Sequence, residues 1–178
     1  MDRSVADVRV APVTADMHAA IAALRVKPGQ EAYAGDPALS LRMAQDDRSG
    51  EAMAVLDGDT VIGFYRLDFS ANAVIGRGIG APGVGLRAFV IDAAQQGRGA
   101  GARAASALCA DIERRHPRRR LVLLLVHCRN TAGIATYRKA GFVDSGQLFA
   151  GGNAGPQHLM WRQLGAKAAD AMGQSPHG

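Results

Sequence analysis

The chain reads as an α+β domain, and three stretches carry that reading. Residues 51–56 and 60–69 are strand-like runs joined by Asp57-Gly58-Asp59, a turn signal that favours a hairpin. Residues 86–92 form an apolar run that passes through a glycine-rich turn into 99–115, where Ala100, Ala104, Leu108 and Ile112 recur at helical spacing. Residues 121–126 show no alternation, the mark of a strand buried on both faces. At 178 residues the chain is the size of one domain with its own core.

Taken in order, Val8-Arg9-Val10-Ala11-Pro12-Val13 alternates as a short strand, and Pro12 suits a sheet edge. Thr14 stands as N-cap to a helix over 15–24. Residues 26–35 lack periodicity and read as loop. Asp36-Pro37 pairs a capping carboxylate with a first-turn proline, starting a helix that runs to about Gln45, ahead of Asp46-Asp47-Arg48-Ser49-Gly50. After the hairpin, 70–85 is glycine-rich loop; the strand over 86–92, the turn over 93–98 and the helix over 99–115 follow. The strand over 121–126 leads to a helix over 130–140 closed by Gly141. Strands over 142–150 and 158–164 flank Gly151-Gly152-Asn153-Ala154-Gly155-Pro156. Residues 1–164 then make the single domain, and 165–178 a frayed tail.

Composition excludes several classes. With 34 alanines and 22 glycines, the 48% hydrophobic figure overstates the bulk available for a core. No apolar window of membrane-spanning length is free of charge, and Met1-Asp2-Arg3-Ser4 opens no signal-peptide core. Two cysteines, Cys109 and Cys128, make no disulfide framework, so a reducing cytoplasmic setting is the default. Eighteen Arg against three Lys read as the bias of a GC-rich bacterial genome. The net charge of +5 suits an anionic ligand or nucleic acid without choosing between them. Cys and His spacing suggests no metal site.

The chemistry concentrates in Ile91-Asp92-Ala93-Ala94-Gln95-Gln96-Gly97-Arg98-Gly99-Ala100-Gly101-Ala102. Glycines there let main-chain N–H groups turn inward, and the start of the following helix favours an anion such as a pyrophosphate. Gln96-x-x-Gly99-x-Gly101 after an apolar strand resembles the acyl-CoA-binding motif of the GNAT superfamily of N-acyltransferases. Asn130-x-x-Ala-x-x-x-Tyr137-x-x-x-Gly141-Phe142, about 30 residues on, resembles that superfamily's second signature, and the order of elements from residue 8 to 164 matches as well.

The resemblance implies a mixed, mostly antiparallel sheet of six to seven strands flanked by about four helices, splayed between its fourth and fifth strands. It implies acetyl-CoA as cosubstrate. Phe89, Val90 and Ile91 become main-chain partners of the pantetheine arm, and Gln96, Gly97, Arg98, Gly99, Ala100, Gly101 and Ala102 wrap the pyrophosphate. Asn130 contacts the pantetheine portion, and Tyr137 donates a proton to the departing thiolate. Arg98, Arg103 and Arg129 stand near the cofactor's phosphates.

The implied reaction is direct attack of an amine on the acetyl carbonyl, with a main-chain N–H near Val90 for the developing oxyanion. An ammonium of pKa about 10.4 is neutral in roughly one molecule per thousand near pH 7.4, a gap of about 4 kcal/mol. A thiol of pKa about 8.5 lies only about one unit above that pH, so the base matters more than the acid. Some relatives carry a glutamate near the start of the fourth strand, where this chain has Gly83-Val84-Gly85-Leu86-Arg87. His127, ending the fifth strand, is the base candidate, because an imidazole titrates near neutral pH. A strand-end histidine satisfied by backbone is the bland alternative. Asp92 and Glu31 are further candidates, Asp92 also reading as a cap of the turn.

Gly76-Arg77-Gly78-Ile79-Gly80 precedes a strand and so is no dinucleotide fingerprint. Arg114-Arg115-His116-Pro117-Arg118-Arg119-Arg120 reads as a solvated helix end, with no nucleic acid expected. Gln157 and His158 begin the last strand, where the family builds acceptor pockets or dimer contacts. The function expected is N-acetylation of a small-molecule primary amine, and residues 30–41 with the hairpin loosely resemble diamine and polyamine acetyltransferases. Asp36, Asp46, Asp47 and Glu51 are the acids available to gather around a polycation. A protein or peptide amine, an amino-sugar antibiotic and a non-catalytic acyl-CoA sensor remain open, as does a homodimer.

Overall fold

A computed structural model describes residues 7–70, 74, 81–150 and 155–165. The expectations for 76–80, for 151–154 and for the tail beyond Gly165 lie outside those residues. Seven strands form one sheet in the order β1 (Val8–Pro12), β2 (Gly50–Asp57), β3 (Thr60–Asp68), β4 (Gly83–Ile91), β5 (Leu121–His127), β7 (Gln157–Gln163) and β6 (Val143–Phe149). Every neighbouring pair is antiparallel except β4 and β5. The sheet is the mixed, mostly antiparallel one expected.

Against one face pack α4 (Ala100–Arg115) and α5 (Thr131–Lys139), over a core that includes Met53, Tyr65, Val84, Leu108, Ile112, Leu124 and Met160. Ala104 and Ala105 are fully buried, so part of the alanine excess brings α4 close to the strands. On the other face α1 (His18–Ala22) and α3 (Pro37–Asp46) cover Phe64 and Val90 with Ile21, Leu24 and Leu41.

Local signals hold where one residue type decides the backbone. Gly58 turns the hairpin at φ 58°, and Asp36 Oδ1 accepts the Ala38 N–H at 2.9 Å as the cap of α3. Gly141 closes α5 at φ 86°. Three expectations change. The first helix divides into a 3₁₀ turn (Ala15–Met17) and α1, and the Thr14 hydroxyl bonds the Asp16 carboxylate instead of capping. The loop over 26–35 contains α2 (Glu31–Ala34), a single turn too short to show periodicity, ended by Gly35 at φ 67°. And β4 starts at Gly83, three residues early, because Gly83 and Gly85 lie in the parallel pairing with β5.

That parallel pairing is short. It joins Gly83, Val84 and Gly85 to Leu121, Val122 and Leu123, while β7 accompanies β5 along its whole length to His127. Beyond Gly85 and Leu123 the two strands part, so the expected splay is present. Within β4 the register against β3 slips: Arg87 faces Arg66 but Val90 faces Phe64, one extra residue on the β4 side. Ala88 sits in this bulge at φ 55°, the one non-glycine with positive φ among the described residues.

The basic helix end is not simply solvated. Arg115 pairs with Glu51 and Asp111, each at 2.8 Å. Arg119 donates to Gly83 O at 2.9 Å and covers the Phe69 ring at 5.1 Å. Arg118 and Arg120 keep exposed side chains. Sequence shows the charge of this segment but not the carbonyl and carboxylate acceptors that the fold brings beneath it.

Candidate active site

Where β4 and β5 part, a cavity of about 720 Å³ opens between them. The outer residues of β4 line one side, residues 124–127 of β5 the other, with α5 and the glycine turn completing the wall. The α2 turn bridges it. Gln30 Oε1 accepts from Gln96 Nε2 at 3.0 Å, and Tyr33, one helical turn on, lays its ring 5.3 Å from that of His127.

Asp92 N donates to Ile62 O at 2.8 Å, and Val90 stands opposite Phe64, two residues further along each strand. In an antiparallel ladder the main-chain groups of Val90 therefore face β3, and those of Phe89 and Ile91 face the cavity. Ile91 O accepts from Gln96 Nε2 at 2.9 Å from that side. Of the three strand residues expected to meet a pantetheine arm, Phe89 and Ile91 offer main-chain groups, and Val90 does not. Its side chain is buried beneath α1 and α3.

Gln96 spends its side-chain amide as a staple between Ile91 and Gln30. Gly97 and Gly99 hold φ of 80° and 77°, a conformation any side chain would strain. A Cβ on Gly101 would lie 3.0 Å from Thr136 Cγ2, so its smallness serves the close approach of α4 to α5. Gly97, Gly99, Gly101 and Ala102 line the cavity. Arg98 and Ala100 do not: Arg98 O accepts from Arg103 Nη2 at 2.6 Å, and Ala100 is buried in the core.

Asn130 Oδ1 accepts the Gly133 N–H at 3.0 Å and caps α5, so it shapes the cavity wall as well as lining it. Tyr137 is 9% exposed, its ring 5.7 Å from Phe89 and 5.7 Å from Phe142. Burial pushes its hydroxyl well above the ordinary phenol range, so the group is protonated at neutral pH. His127 Nε2 lies 3.1 Å from Gln157 Nε2, while Nδ1 is shut from solvent without a partner.

The other base candidates are engaged. Asp92 accepts from Arg25 N at 3.0 Å and Ala94 N at 3.2 Å, and Glu31 accepts from Gly29 N at 2.8 Å. Gln157 reaches the cavity, whereas His158 turns its Nδ1 to Asp144 at 3.0 Å. Gln30 and Tyr33 were missed by sequence reasoning, which placed them in aperiodic loop. Only the loose resemblance of residues 30–41 to diamine and polyamine acetyltransferases marked that stretch.

The model of the acetyltransferase (GNAT) family matches residues 15–142. The chain belongs to the GNAT acetyltransferase family. It is an acetyl-CoA-dependent N-acetyltransferase. No curated protein matches it at the level of sequence. Among solved structures it is similar to the aminoglycoside acetyltransferase AAC(6')-Ib in complex with paromomycin and acetyl-CoA (19% identity, 96% of this chain, 99% of that one, TM-score 0.70). It is also similar to a spermidine N-acetyltransferase from Vibrio cholerae in complex with CoA and spermine (16% identity, 88% and 95%, TM-score 0.66). The GNAT domain of S. lividans PAT is a third (20% identity, 88% and 90%, TM-score 0.64). At these identities the likeness speaks for the fold. Within it, no described helix is long and apolar enough to cross a membrane.

Proposed function

We propose that the chain moves the acetyl group of acetyl-CoA onto a small primary amine by direct attack of the amine nitrogen. What carries the reading is the opening between β4 and β5, which leaves the main-chain groups of Phe89 and Ile91 facing a slot with Tyr137 in its wall. In this reading those groups bind the pantetheine arm, and the Phe89 N–H takes the place assigned to one near Val90 in holding the developing oxyanion. The turn from Gln96 to Ala102 binds the pyrophosphate through main-chain N–H groups, with Gly97, Gly99, Gly101 and Ala102 in the cavity wall and Arg98 and Ala100 shaping the turn behind it. Asn130 sets the first turn of α5 against the cosubstrate. Tyr137 protonates the departing thiolate.

His127 receives the proton the amine loses. Its Nε2 faces Gln157 and its Nδ1 is walled in, so proton uptake requires Gln157 or Tyr33 to give way. The neighbours bound to aminoglycoside and spermine support a small-molecule acceptor. The test is thiol release from acetyl-CoA across a panel of amines, with CoA binding measured in parallel by calorimetry. Release with a small amine is expected. Binding without release for every acceptor class would assign the fold to sensing instead, and wild-type kcat/KM in His127→Ala across pH 6–9 would remove His127 from the mechanism.

A further inference from the structure

His127 and Gln157 stand directly opposite each other on β5 and β7, in a ladder that runs from Leu121 to His127 without a register shift. Cross-strand partners share a face of the sheet, and both residues line the cavity. His158, the next residue, turns the other way to Asp144. The amide nitrogen of Gln157 lies 3.1 Å from His127 Nε2, while Nδ1 is shut from solvent without a partner.

A carboxamide shows donors at one end and an acceptor at the other, and a half-turn exchanges them. With the NH2 end on Nε2, the neutral ring must carry its proton on Nδ1, as a buried donor with no acceptor. With the oxygen end there, Nε2–H donates to Gln157 Oε1 and Nδ1 keeps only a lone pair. Buried N–H groups without an acceptor are rare in folded proteins, and the half-turn breaks no other hydrogen bond among the described residues. The second arrangement is therefore the favoured one.

The ring has a fixed neighbour and a hinged one. Gln157 is held in the β5–β7 ladder. Tyr33, its ring centred 5.3 Å from that of His127, rides on the single turn α2 between Gly29 at φ 89° and Gly35 at φ 67°. Each of those glycines has open space where a Cβ would stand. The other titratable side chains of the described lining are Lys27 before α2, Arg87 of β4, and Tyr137 and Lys139 of α5.

We infer that Gln157 is the positioning residue for His127: its amide oxygen holds the ring with the proton on Nε2, so that Nδ1 takes the amine's proton once Tyr33 withdraws. The inference rests on the reading of His127 as base given above. As the N–C bond forms and the C–S bond breaks, one proton passes from the attacking nitrogen to Nδ1, and the thiolate takes the Tyr137 proton. The ring becomes an imidazolium whose Nε2–H stays on Gln157 Oε1.

The test reads the tautomer directly. Long-range 1H–15N spectra of the neutral ring distinguish Nε2–H from Nδ1–H, and His127→Ala identifies its signals among those of the five histidines. In wild type the proton is expected on Nε2. Gln157→Leu, apolar and of similar size, should lose that preference and lower kcat about tenfold with the best small amine of the panel above, with the KM for acetyl-CoA held within about twofold. Gln157→Glu keeps an acceptor on Nε2, so it restores the tautomer and moves the titration of the ring to higher pH than in wild type, because a carboxylate favours the imidazolium. A Gln157 that only packs would leave the tautomer where it was. A wild-type proton on Nδ1, or an unchanged tautomer in Gln157→Leu, overturns the inference and leaves His127 standing as base. Wild-type kcat/KM in His127→Ala overturns the base assignment and the inference with it, and leaves the acetyltransferase reading standing.

Discussion

The two ends of β4 do opposite things. Residues 83–85 are zipped to β5 in parallel register, with Arg119 fastened to Gly83 O at 2.9 Å. Residues 88–91 leave β5 altogether and turn alternate main-chain groups into the cavity. Both ends keep β3 as their other neighbour, and the bulge at Ala88 lies between them. A strand can therefore be structural at one end and chemical at the other, provided a local irregularity uncouples the two registers.

The largest way to test that division is at the open end. Tyr137→Phe removes the proposed proton donor but keeps the ring between Phe89 and Phe142, so kcat is expected to fall about 10²-fold with CoA affinity held within about twofold in calorimetry. Burial raises the Tyr137 hydroxyl above its ordinary value near 10, so the protonated donor persists as pH rises. An alkaline limb in wild-type kcat that sets in below about pH 10 then belongs to another group, and the sign is checked by asking whether Tyr137→Phe keeps that limb.

An intermediate effect is expected behind the open end. A Cβ on Gly63 would lie 2.5 Å from Val90 O and 3.2 Å from Val55 Cβ, main chain and core that do not swing aside. Gly63→Ala should cost about 1–3 kcal/mol in denaturant unfolding, as overpacking does, and weaken CoA binding by shifting β4. Unchanged stability would mean that β3 does not hold β4 in place. The smallest effect belongs to the closed end: Arg119→Ala loses the bond to Gly83 O and the Phe69 stack, about 1–2 kcal/mol, with kcat/KM unchanged.

The same contrast explains what could be read in the sequence. The glycine turn after residue 92 and the helix from Asn130 to Gly141 announce themselves because φ-positive glycines and side-chain caps are local devices. The hairpin at Gly58 is legible for the same reason. The start of β4 was hidden because glycines dilute a strand signal, and Gly83 and Gly85 owe their strand geometry to β5, almost 40 residues away. Long-range pairing also hid Gln30 and Tyr33, whose partners Gln96 and His127 lie on other elements. Arg119 looked like surface charge until the fold put a carbonyl and an aromatic ring beneath it.

The bond from Gln30 to Gln96 has a thermodynamic side. Gln96 sits in the turn assigned to the cosubstrate's phosphates, and Gln30 opens the helical turn that sets Tyr33 over His127. One hydrogen bond thus joins the two halves of the cleft. Linkage then demands reciprocity: by whatever factor an occupied turn alters affinity for the amine, a bound amine alters affinity for the nucleotide by the same factor. Two titrations, each ligand in the presence and absence of the other, must return one coupling constant, and Gln30→Ala is the variant that would bring it toward unity.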